Sequence, residues 1–556
     1  METSLLNQLK FSWKFSKPYK GALSLYLVSQ LAGIALSLMF IWYSKQAIDL
    51  AVGSSTEALY QQLIPAVLCL LGSFVLGIYG YRLNEKTRIT MLVDLQKQIL
   101  QGQMTSSWKN SSDWHTGDLL VRANTDSSEI VQVLGNVLIS VVVTLVRIIG
   151  AVGLLWWMDP MLAIILLCVS PLVLFSKIYL KKLKKLNQQL KKSESSLGET
   201  MQENLRMRLF IRAINLEDKR WQEIEKKQNN IYDMKMSVLN FTTFSRGFMG
   251  SIINIGYLIT FVWGVLKLQS GEITFGTMSA FLQLVARIQG PILTMFGYIP
   301  VLVRFRTAVD RVMELFSREN EPTLPAVRLK PIDQITLKNI SFSYGQEPLL
   351  SGINLTIKKG EPTAILGHSG QGKSTLLRII LNLIPQSTGT VSLFSDGKEI
   401  PMSSAYRNNF AYVPQGDKLL SGTIRENLSA MEELAEEDIN QALELSRAEF
   451  VHQLPAGLEN TVAEGAHGLS EGQGQRLGIA RALLQDAQVW LLDEITSALD
   501  KQTAMEVVKN LVETGKDKVI VFVTHDPAIA SLCTQIIVLD APEKQEEKNN
   551  KYHDGN

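Results

Sequence analysis

Long runs of hydrophobic residues fill the first half of the chain and then stop. A helix needs about 20 apolar residues to cross the hydrocarbon core of a bilayer. The runs therefore predict six transmembrane spans, with buried core helices of a soluble protein as the alternative. They are GALSLYLVSQLAGIALSLMFIWY (21–43), then 63–81, 134–158, 160–176, 247–266 and 275–303.

Lysine and arginine are distributed unevenly among the segments between these runs. Connections 82–133 and 177–246 contain six and sixteen, whereas 44–62 and 267–274 contain one each. Because basic connections stay on the cytoplasmic side, both long connections and both termini are predicted to be cytoplasmic. The charges of KKLKKLNQQLKKSESSLGETMQENL (181–205) are spaced as on a solvated helix, so the spans are expected to extend into the cytoplasm.

The pattern changes after Val303. Polar sequence with three prolines predicts a linker at 317–333. Beyond it, β-rich and helical patterns alternate, as in an α/β nucleotide-binding domain. We therefore divide the chain into a transmembrane domain (1–316), the linker, an α/β domain (334–540) and a tail (541–556) whose few apolar residues predict disorder.

The composition fits one membrane part combined with one soluble part: 46% of the residues are hydrophobic, 19% are charged and the net charge is +2. No basic tract is interleaved with aromatic residues, which excludes nucleic-acid binding as a function. The three cysteines are widely separated and form neither a CxxC pair nor a metal-binding spacing.

The segment PTAILGHSGQGKSTLLRIIL carries the strongest chemical signal. A strand-like TAIL leads into GHSGQGKS (367–374), which fits the phosphate-binding pattern G-x-x-x-x-G-K-[ST], and an apolar helix follows. Glycines let backbone N–H groups turn toward phosphates, and the positive end of the helix points at them. Lys373 is expected to reach the β- and γ-phosphates of ATP, and the Ser374 hydroxyl to bind Mg²⁺. The other ATP-binding candidates here are Gly367, His368, Ser369, Gly370, Gln371, Gly372 and Thr375.

An acidic pair follows a second buried-type strand in AQVWLLDEITSALD. At the C-terminal end of a parallel strand, Asp493 and Glu494 would face the phosphate crevice. Asp493 would then hold Mg²⁺ through water, and Glu494 would accept a proton from attacking water. Taken alone, the pair could equally be the N-cap of a helix.

The segment LSEGQ lies 24 residues before Asp493, and this order of motifs resembles the ATP-binding cassette (ABC) transporters. The resemblance implies that Tyr344 of NISFSYG stacks on adenine, that Gln415 of YVPQ senses Mg²⁺ and that His525 of VFVTHD contacts the γ-phosphate. A core aromatic and a structural histidine are the alternative interpretations of Tyr344 and His525. The implied signature segment, which contacts the ATP of a partner chain, is Leu469, Ser470, Glu471, Gly472 and Gln473, and the segment that links the two sites includes Ser497 and Asp500.

The membrane half also resembles the exporter-type members of that family, in stretches such as TGDLLVRANTDSSEI (116–130) and ENLRMRLFIRAINLEDKR (203–220). The resemblance implies a type I exporter (type IV) fold, with six long transmembrane helices plus a cytoplasmic α/β P-loop ATPase domain. Segments 108–118 and 207–215 would be coupling helices. Such a chain is half a transporter, so a second copy or a related half-transporter would complete a dimer that sandwiches two ATP molecules. Glu471 departs from the family pattern, which usually has Gly there, and this puts the strength of closure in doubt.

We therefore expect an ATP-driven exporter or flippase of a lipid-like, drug-like or peptide substrate in a bacterial cytoplasmic membrane. It would use ATP and Mg²⁺, with Glu494, His525 and Lys373 in catalytic roles. An importer of a chelate or vitamin on the same fold and an ATP-gated, non-transporting membrane protein remain alternatives.

Two arginines near the centres of predicted spans bear on the substrate. A charge at that depth is unfavourable by ~2.5–3.5 kcal/mol and usually faces a cavity. Arg147 and Arg287 therefore suggest an anionic headgroup or acidic substrate. In the alternative interpretation the helices extend past the bilayer, and the arginines are interfacial or paired with a neighbouring helix.

Overall fold

The computed structural model describes residues 5–52, 56–106, 116–169, 176–317, 321–322, 324–345, 347–368, 370–416, 419–429, 434–463 and 468–539. Ser369, most of the predicted coupling segment 108–118 and the tail 541–556 lie outside these ranges. The chain divides into two compact units. The first comprises Met1–Gly102 and His115–Ser317, and the second comprises Gln103–Trp114 and Arg318–Asn556.

The described part of the first unit consists of helices joined by short turns. Two π-helical segments, Arg122–Asp126 and Val133–Val137, lie within its third long helical stretch. The helices are α1 (Leu5–Ser16), α2 (Lys20–Val52), α3 (Thr56–Met104), α4 (Thr116–Val121), α5 (Ser127–Gln132), α6 (Leu138–Met158), α7 (Pro160–Val169), α8 (Ser176–Arg206), α9 (Arg208–Ala213), α10 (Glu217–Gln269) and α11 (Phe275–Phe316).

Three helical stretches of the described chain are long and apolar enough to cross a membrane, judged by length and composition. They are Leu6–Val52, Ala58–Met104 and Gly117–Met158, and they contain the first three predicted spans. The fourth predicted span continues from α7 into residues outside the described ranges, and the fifth and sixth lie within α10 and α11. The number of six spans remains a prediction.

A charged cluster joins the third helical stretch to α11. Arg122 is buried, and its guanidinium donates to Asp118 Oδ2 (2.8 Å), Glu314 Oε2 (2.9 Å) and the carbonyl oxygen of Arg311 (2.6 Å). Arg311 in turn donates to Asp118 Oδ1 over 2.6 Å. A hydrophobic cluster that includes Ile130 and Val309 joins the same two stretches, so polar and apolar contacts together hold them side by side.

The second unit combines two main sheets with helices in its described residues. Its helices are α12 (Lys373–Ile380), α13 (Ile424–Ser429), α14 (Glu436–Leu445), α15 (Glu471–Leu484), α16 (Lys501–Thr514) and α17 (Pro527–Ala530). Its strands are β1 (Gln334–Phe342), β2 (Leu350–Lys358), β3 (Thr363–Leu366), β4 (Thr388–Ser395), β5 (Lys398–Pro401), β6 (Phe410–Val413), β7 (Gly422–Thr423), β8 (Thr461–Val462), β9 (Val489–Asp493), β10 (Val519–Val523) and β11 (Gln535–Val538).

The order of strands positions the candidate site. An antiparallel sheet runs β2-β1-β4-β5, and a parallel sheet runs β11-β3-β10-β9-β6 through the described residues. The run VWLLD of β9 is buried on both faces, since Leu491 packs in one hydrophobic core and Trp490 in another. A parallel sheet covered on both faces explains this uninterrupted apolar run. The C-terminal ends of β3, β10, β9 and β6 therefore meet at one edge.

Candidate ATP site

The phosphate-binding motif forms a tight loop between β3 and α12. Gly370 and Gly372 have φ angles of 86° and 85°, which disfavour residues with a side chain. A Cβ at Gly372 would also lie 2.9 Å from Leu350 Cδ2. Lys373 Nζ folds back into the loop and donates to the carbonyl oxygens of Gly367 (2.8 Å) and His368 (3.0 Å). The loop therefore encloses the ammonium group that was expected to contact phosphate.

Asp493 ends β9 at the sheet edge, with only 1% of its surface exposed. Burial raises its pKa, and a hydrogen bond from the Ser374 hydroxyl opposes the rise. Its Oδ1 atom is buried and accepts no hydrogen bond from the residues that the structure describes. An unsatisfied carboxylate oxygen beside a serine hydroxyl fits a hard cation, because Mg²⁺ prefers oxygen ligands.

The carboxylate of Glu494 is the point where the predicted residues converge. Gln415 Nε2 donates to its Oε2 over 2.6 Å. Lys373 Nζ and His525 Nδ1 lie 3.8 Å and 4.0 Å from its Oε1. These side chains come from four neighbouring strand ends, so the sheet assembles groups that are far apart in the sequence.

Tyr344 lies outside this cluster, in the segment that follows β1, with its hydroxyl near the start of α12. The residue is 58% exposed, and its ring packs edge-on against Phe342, with ring centroids 4.8 Å apart. Its hydroxyl lies 3.3 Å from Thr375 Oγ1. An exposed aromatic face beside the phosphate loop is suited to stacking on a base.

The signature segment begins α15. Ser470 is the N-cap and forms a capping box with Gln473, in which each side chain bonds the backbone N–H of the other. Leu469 is partly buried, whereas Glu471 is exposed and faces away from the core. Gly472 is packed closely: a Cβ there would lie 2.6 Å from the carbonyl oxygen of Ala498.

The predicted linking segment lies against the same helix. Ser497 and Ala498 bond the side chain of Gln475, and Asp500 caps α16 by accepting from Thr503 N–H over 3.0 Å. This hydrogen bond lowers the pKa of Asp500. The sequence predicted no role for Gln475. The signal available was its place two residues after the signature segment.

Tyr412 was also missed. It precedes Gln415 by three residues and interacts with Asp493, and burial followed by that carboxylate raises its pKa to about 12. Its hydroxyl therefore stays protonated and available as a donor to Asp493. The only signal in the sequence was the tyrosine of YVPQ itself.

In the first unit, Arg147 and Arg287 border the same cavity of about 210 Å³, together with Ser29, Gln30 and Ser73. Arg147 also borders a second cavity of about 440 Å³, lined by Tyr26, Thr144 and Tyr298 among others. The two predicted arginines are thus brought to one polar cavity between helices.

Comparisons with known proteins agree with both halves of the chain. The family model of the ABC transporter transmembrane region matches residues 23–292, and a second model, described as ABC transporter, matches residues 350–497. An ATP-dependent lipid A-core flippase of Desulfotalea psychrophila is 27% identical over 94% of this chain and 92% of its own length. A putative multidrug export ATP-binding/permease protein of Staphylococcus aureus is 25% identical over 95% and 94%. A probable ABC transporter ATP-binding/permease protein of Haemophilus influenzae is 31% identical over 58% of each chain.

These matches confirm the predicted family, the combination of a helical membrane region with an α/β ATPase region, and the coupling of ATP hydrolysis to transport. The membrane region makes the chain an integral membrane protein. The chain belongs to the ABC transporters, with the transmembrane and ATP-binding regions fused in one polypeptide.

Proposed function

We infer that this chain is an exporter-type half-transporter that moves a lipid-like molecule with an anionic headgroup. It works as a dimer, with itself or with a related half-transporter, and two ATP molecules are sandwiched between the ATPase domains. The convergence of Gln415, Lys373 and His525 on Glu494 carries the ATPase part of this proposal. The flippase and exporter names of relatives that match nearly the whole chain support the direction of transport.

Each side chain of the site has a chemical task in this proposal. Glu494 accepts the proton of the attacking water, and Lys373 and His525 stabilise charge on the γ-phosphate. Tyr344 stacks on the adenine. Ser470, Gly472 and Gln473 donate to the γ-phosphate of the partner's ATP from a helix N-terminus, which suits an anion.

Mg²⁺ would be held by Ser374 and Gln415, and by Asp493 through water, and it would neutralise phosphate charge. The unpartnered Oδ1 of Asp493 supports this assignment. The exposed Leu209 and Phe210 of α9 support the coupling role of segment 207–215, since apolar side chains on a short loop helix suit docking on an ATPase domain.

The ATPase part is tested with purified protein in liposomes. Glu494→Gln should abolish hydrolysis while ATP still binds, because the amide cannot accept the proton from water. The particle should contain two chains, as measured by light scattering of the purified assembly. Hydrolysis by Glu494→Gln at the wild-type rate would refute the assigned role.

The cavity shared by Arg147 and Arg287 supports the anionic substrate. A guanidinium can bind a carboxylate or phosphate in bidentate geometry. Arg147→Ala and Arg287→Ala should each lose the stimulation of ATP hydrolysis by anionic lipid and keep the basal rate. Arg304→Ala is the matched control, since this arginine is half exposed and pairs with Glu129. Unchanged stimulation in both cavity variants would exclude the idea.

A further inference from the structure

Gln475 is a buried polar residue for which the ATPase mechanism above has no task. It lies in α15, two residues after the signature segment, and is 2% exposed. Its Nε2 donates to the carbonyl oxygen of Glu494 and to Ser497 Oγ, both over 3.0 Å. Its Oε1 accepts from Ala498 N–H over 3.2 Å. One side-chain amide therefore holds the backbone on both sides of the turn that follows Glu494.

That turn needs to be held. Glu494 has a φ of 49°, a left-handed conformation that is costly for a residue with a side chain unless its surroundings enforce it. Its N–H donates to Val523 O of β10 over 2.9 Å, and its carbonyl accepts from Gln475. These two hydrogen bonds fix the peptide groups before and after Glu494. They thereby set the direction in which its carboxylate leaves the backbone.

The same contacts connect two sites. Gly472 of the signature segment packs on the carbonyl oxygen of Ala498. The N–H of the same Ala498 donates to Gln475, which lies one helical turn after Gly472. A shift of the N-terminus of α15 would therefore reach the turn after Glu494 through two adjacent contacts. Within a packed interior such a shift is transmitted rather than absorbed.

We propose that Gln475 is a positioning residue that aligns Glu494 for hydrolysis and links that alignment to the signature segment. The proposal rests on the proposed function, because it takes Glu494 as the base and Ser470–Gln473 as the contact to the partner's ATP. It makes hydrolysis in one site dependent on whether the same chain's signature segment is engaged.

The experiment uses two variants of the full-length transporter in liposomes. Gln475→Leu removes all three hydrogen bonds at similar volume. Gln475→Glu keeps an oxygen that accepts from Ala498 N–H. Only the protonated carboxyl group has an O–H, which can donate to Glu494 O or Ser497 Oγ. Burial raises the pKa of a carboxyl group, so the protonated form should accumulate toward about pH 6. Gln502→Leu is the matched control, because Gln502 is exposed and its side chain bonds only Glu506 in the described structure.

We expect Gln475→Leu to lower the kcat of ATP hydrolysis by about tenfold or more, with the dissociation constant of ATP changed less than about twofold. For Gln475→Glu, the rate relative to wild type should be equally low at about pH 8.5 and should rise several-fold toward about pH 6. Division by the wild-type rate at each pH removes the pH dependence that the wild-type protein itself shows. Gln475→Glu is compared with itself across pH, so a modest loss of stability does not obscure the result.

The proposal is overturned if Gln475→Leu keeps the wild-type kcat, or if the relative rate of Gln475→Glu does not change with pH. A merely structural role would lower the thermal stability of both variants without this pH response. Failure of the underlying function is distinguishable, because wild type would then show no hydrolysis that depends on Glu494.

Discussion

The side-chain amide of Gln415 donates to Glu494 Oε2 over 2.6 Å, so a residue that follows β6 holds the carboxylate that follows β9. A hydrogen bond to a carboxylate is stronger than one between neutral groups. Gln415→Ala should therefore lower the rate of ATP hydrolysis by about tenfold, with ATP binding retained. Gln453→Ala, at an exposed glutamine of the same unit, is the control. A wild-type rate in Gln415→Ala would show that this contact does not orient the carboxylate.

Two glycines of α15 make a matched pair. An alanine Cβ at Gly472 would meet the carbonyl oxygen of Ala498 at 2.6 Å, whereas at Gly478 it would meet Val413 Cγ1 at an ordinary 3.7 Å. Gly472→Ala should displace the signature segment, abolish most hydrolysis and lower stability by about 1–3 kcal/mol. Gly478→Ala should keep activity and stabilise the helix by about 0.5–1 kcal/mol. Equal activity and melting temperature of the two variants would contradict the packing argument.

Tyr344 offers a test of base stacking that separates the ring from the hydroxyl. Tyr344→Phe keeps the ring and loses only the 3.3 Å contact with Thr375, so its dissociation constant for ATP should change less than about twofold. Tyr344→Ala loses the stacking surface, which is worth about 1–3 kcal/mol per base, and should weaken ATP binding at least fivefold. Equilibrium binding of a fluorescent ATP analogue measures the affinity of each variant. Comparable affinities of Tyr344→Phe and Tyr344→Ala would rule out stacking.

Substitution of Arg122 should cost more stability than substitution of any other residue in the charged cluster of the first unit. Arg122→Gln leaves Asp118 and Glu314 without the guanidinium that joins them. Since both acids are partly exposed, the cost should be on the order of 2–3 kcal/mol. Arg304→Gln, which breaks only the half-exposed pair with Glu129, should cost less than about 1 kcal/mol. Melting temperatures in detergent compare the two variants. Equal decreases in melting temperature would mean that the charged cluster around Arg122 stabilises the protein no more than a half-exposed ion pair does.

Asp159, in the connection between α6 and α7, gives a pH-dependent contribution to stability. Burial opposes its ionisation, but hydrogen bonds from Trp263 Nε1, Leu162 N–H and Lys267 Nζ outweigh burial and lower its pKa. A carboxyl group whose pKa is lowered by folding stabilises the folded state fully at pH values above its pKa in the unfolded chain, which is about 3.9. This stabilisation is lost as the pH falls through the pKa that the group has in the folded state.

Asp159 should therefore make no contribution to the pH dependence of the melting temperature between about pH 8 and about pH 5. At pH values below about 4, its protonation should lower the melting temperature. In Asp159→Asn the melting temperature should be lower at neutral pH, and the acid-induced part of the fall should be smaller. Glu272→Gln is the control, because Glu272 is exposed and its Oε2 lies 3.4 Å from Lys267 Nζ, farther than the 3.0 Å between Asp159 Oδ2 and the same nitrogen. An identical acid response in wild type and Asp159→Asn would contradict the assignment.

Local sequence determined the elements whose cause is local. A run of about 20 predominantly apolar residues forms a helix suited to a bilayer, and the phosphate loop follows from glycines, a preceding strand and a following helix. The assignment of Asp493 to a strand end was also readable, because VWLL is an uninterrupted apolar run. The roles of Gln415 and His525 came from the order of family motifs, since neither residue has a local pattern of its own.

Only the tertiary structure decided which of these groups meet. Gln415, Glu494, His525 and Lys373 follow β6, β9, β10 and β3, and their side chains converge because the parallel sheet places those strands side by side. Strand order depends on contacts between distant segments, which periodicity along one segment does not encode. The same reason applies to Gln475 and Arg122. Each was visible as a polar residue, but its importance comes from partners that folding brings to it from up to 192 positions away.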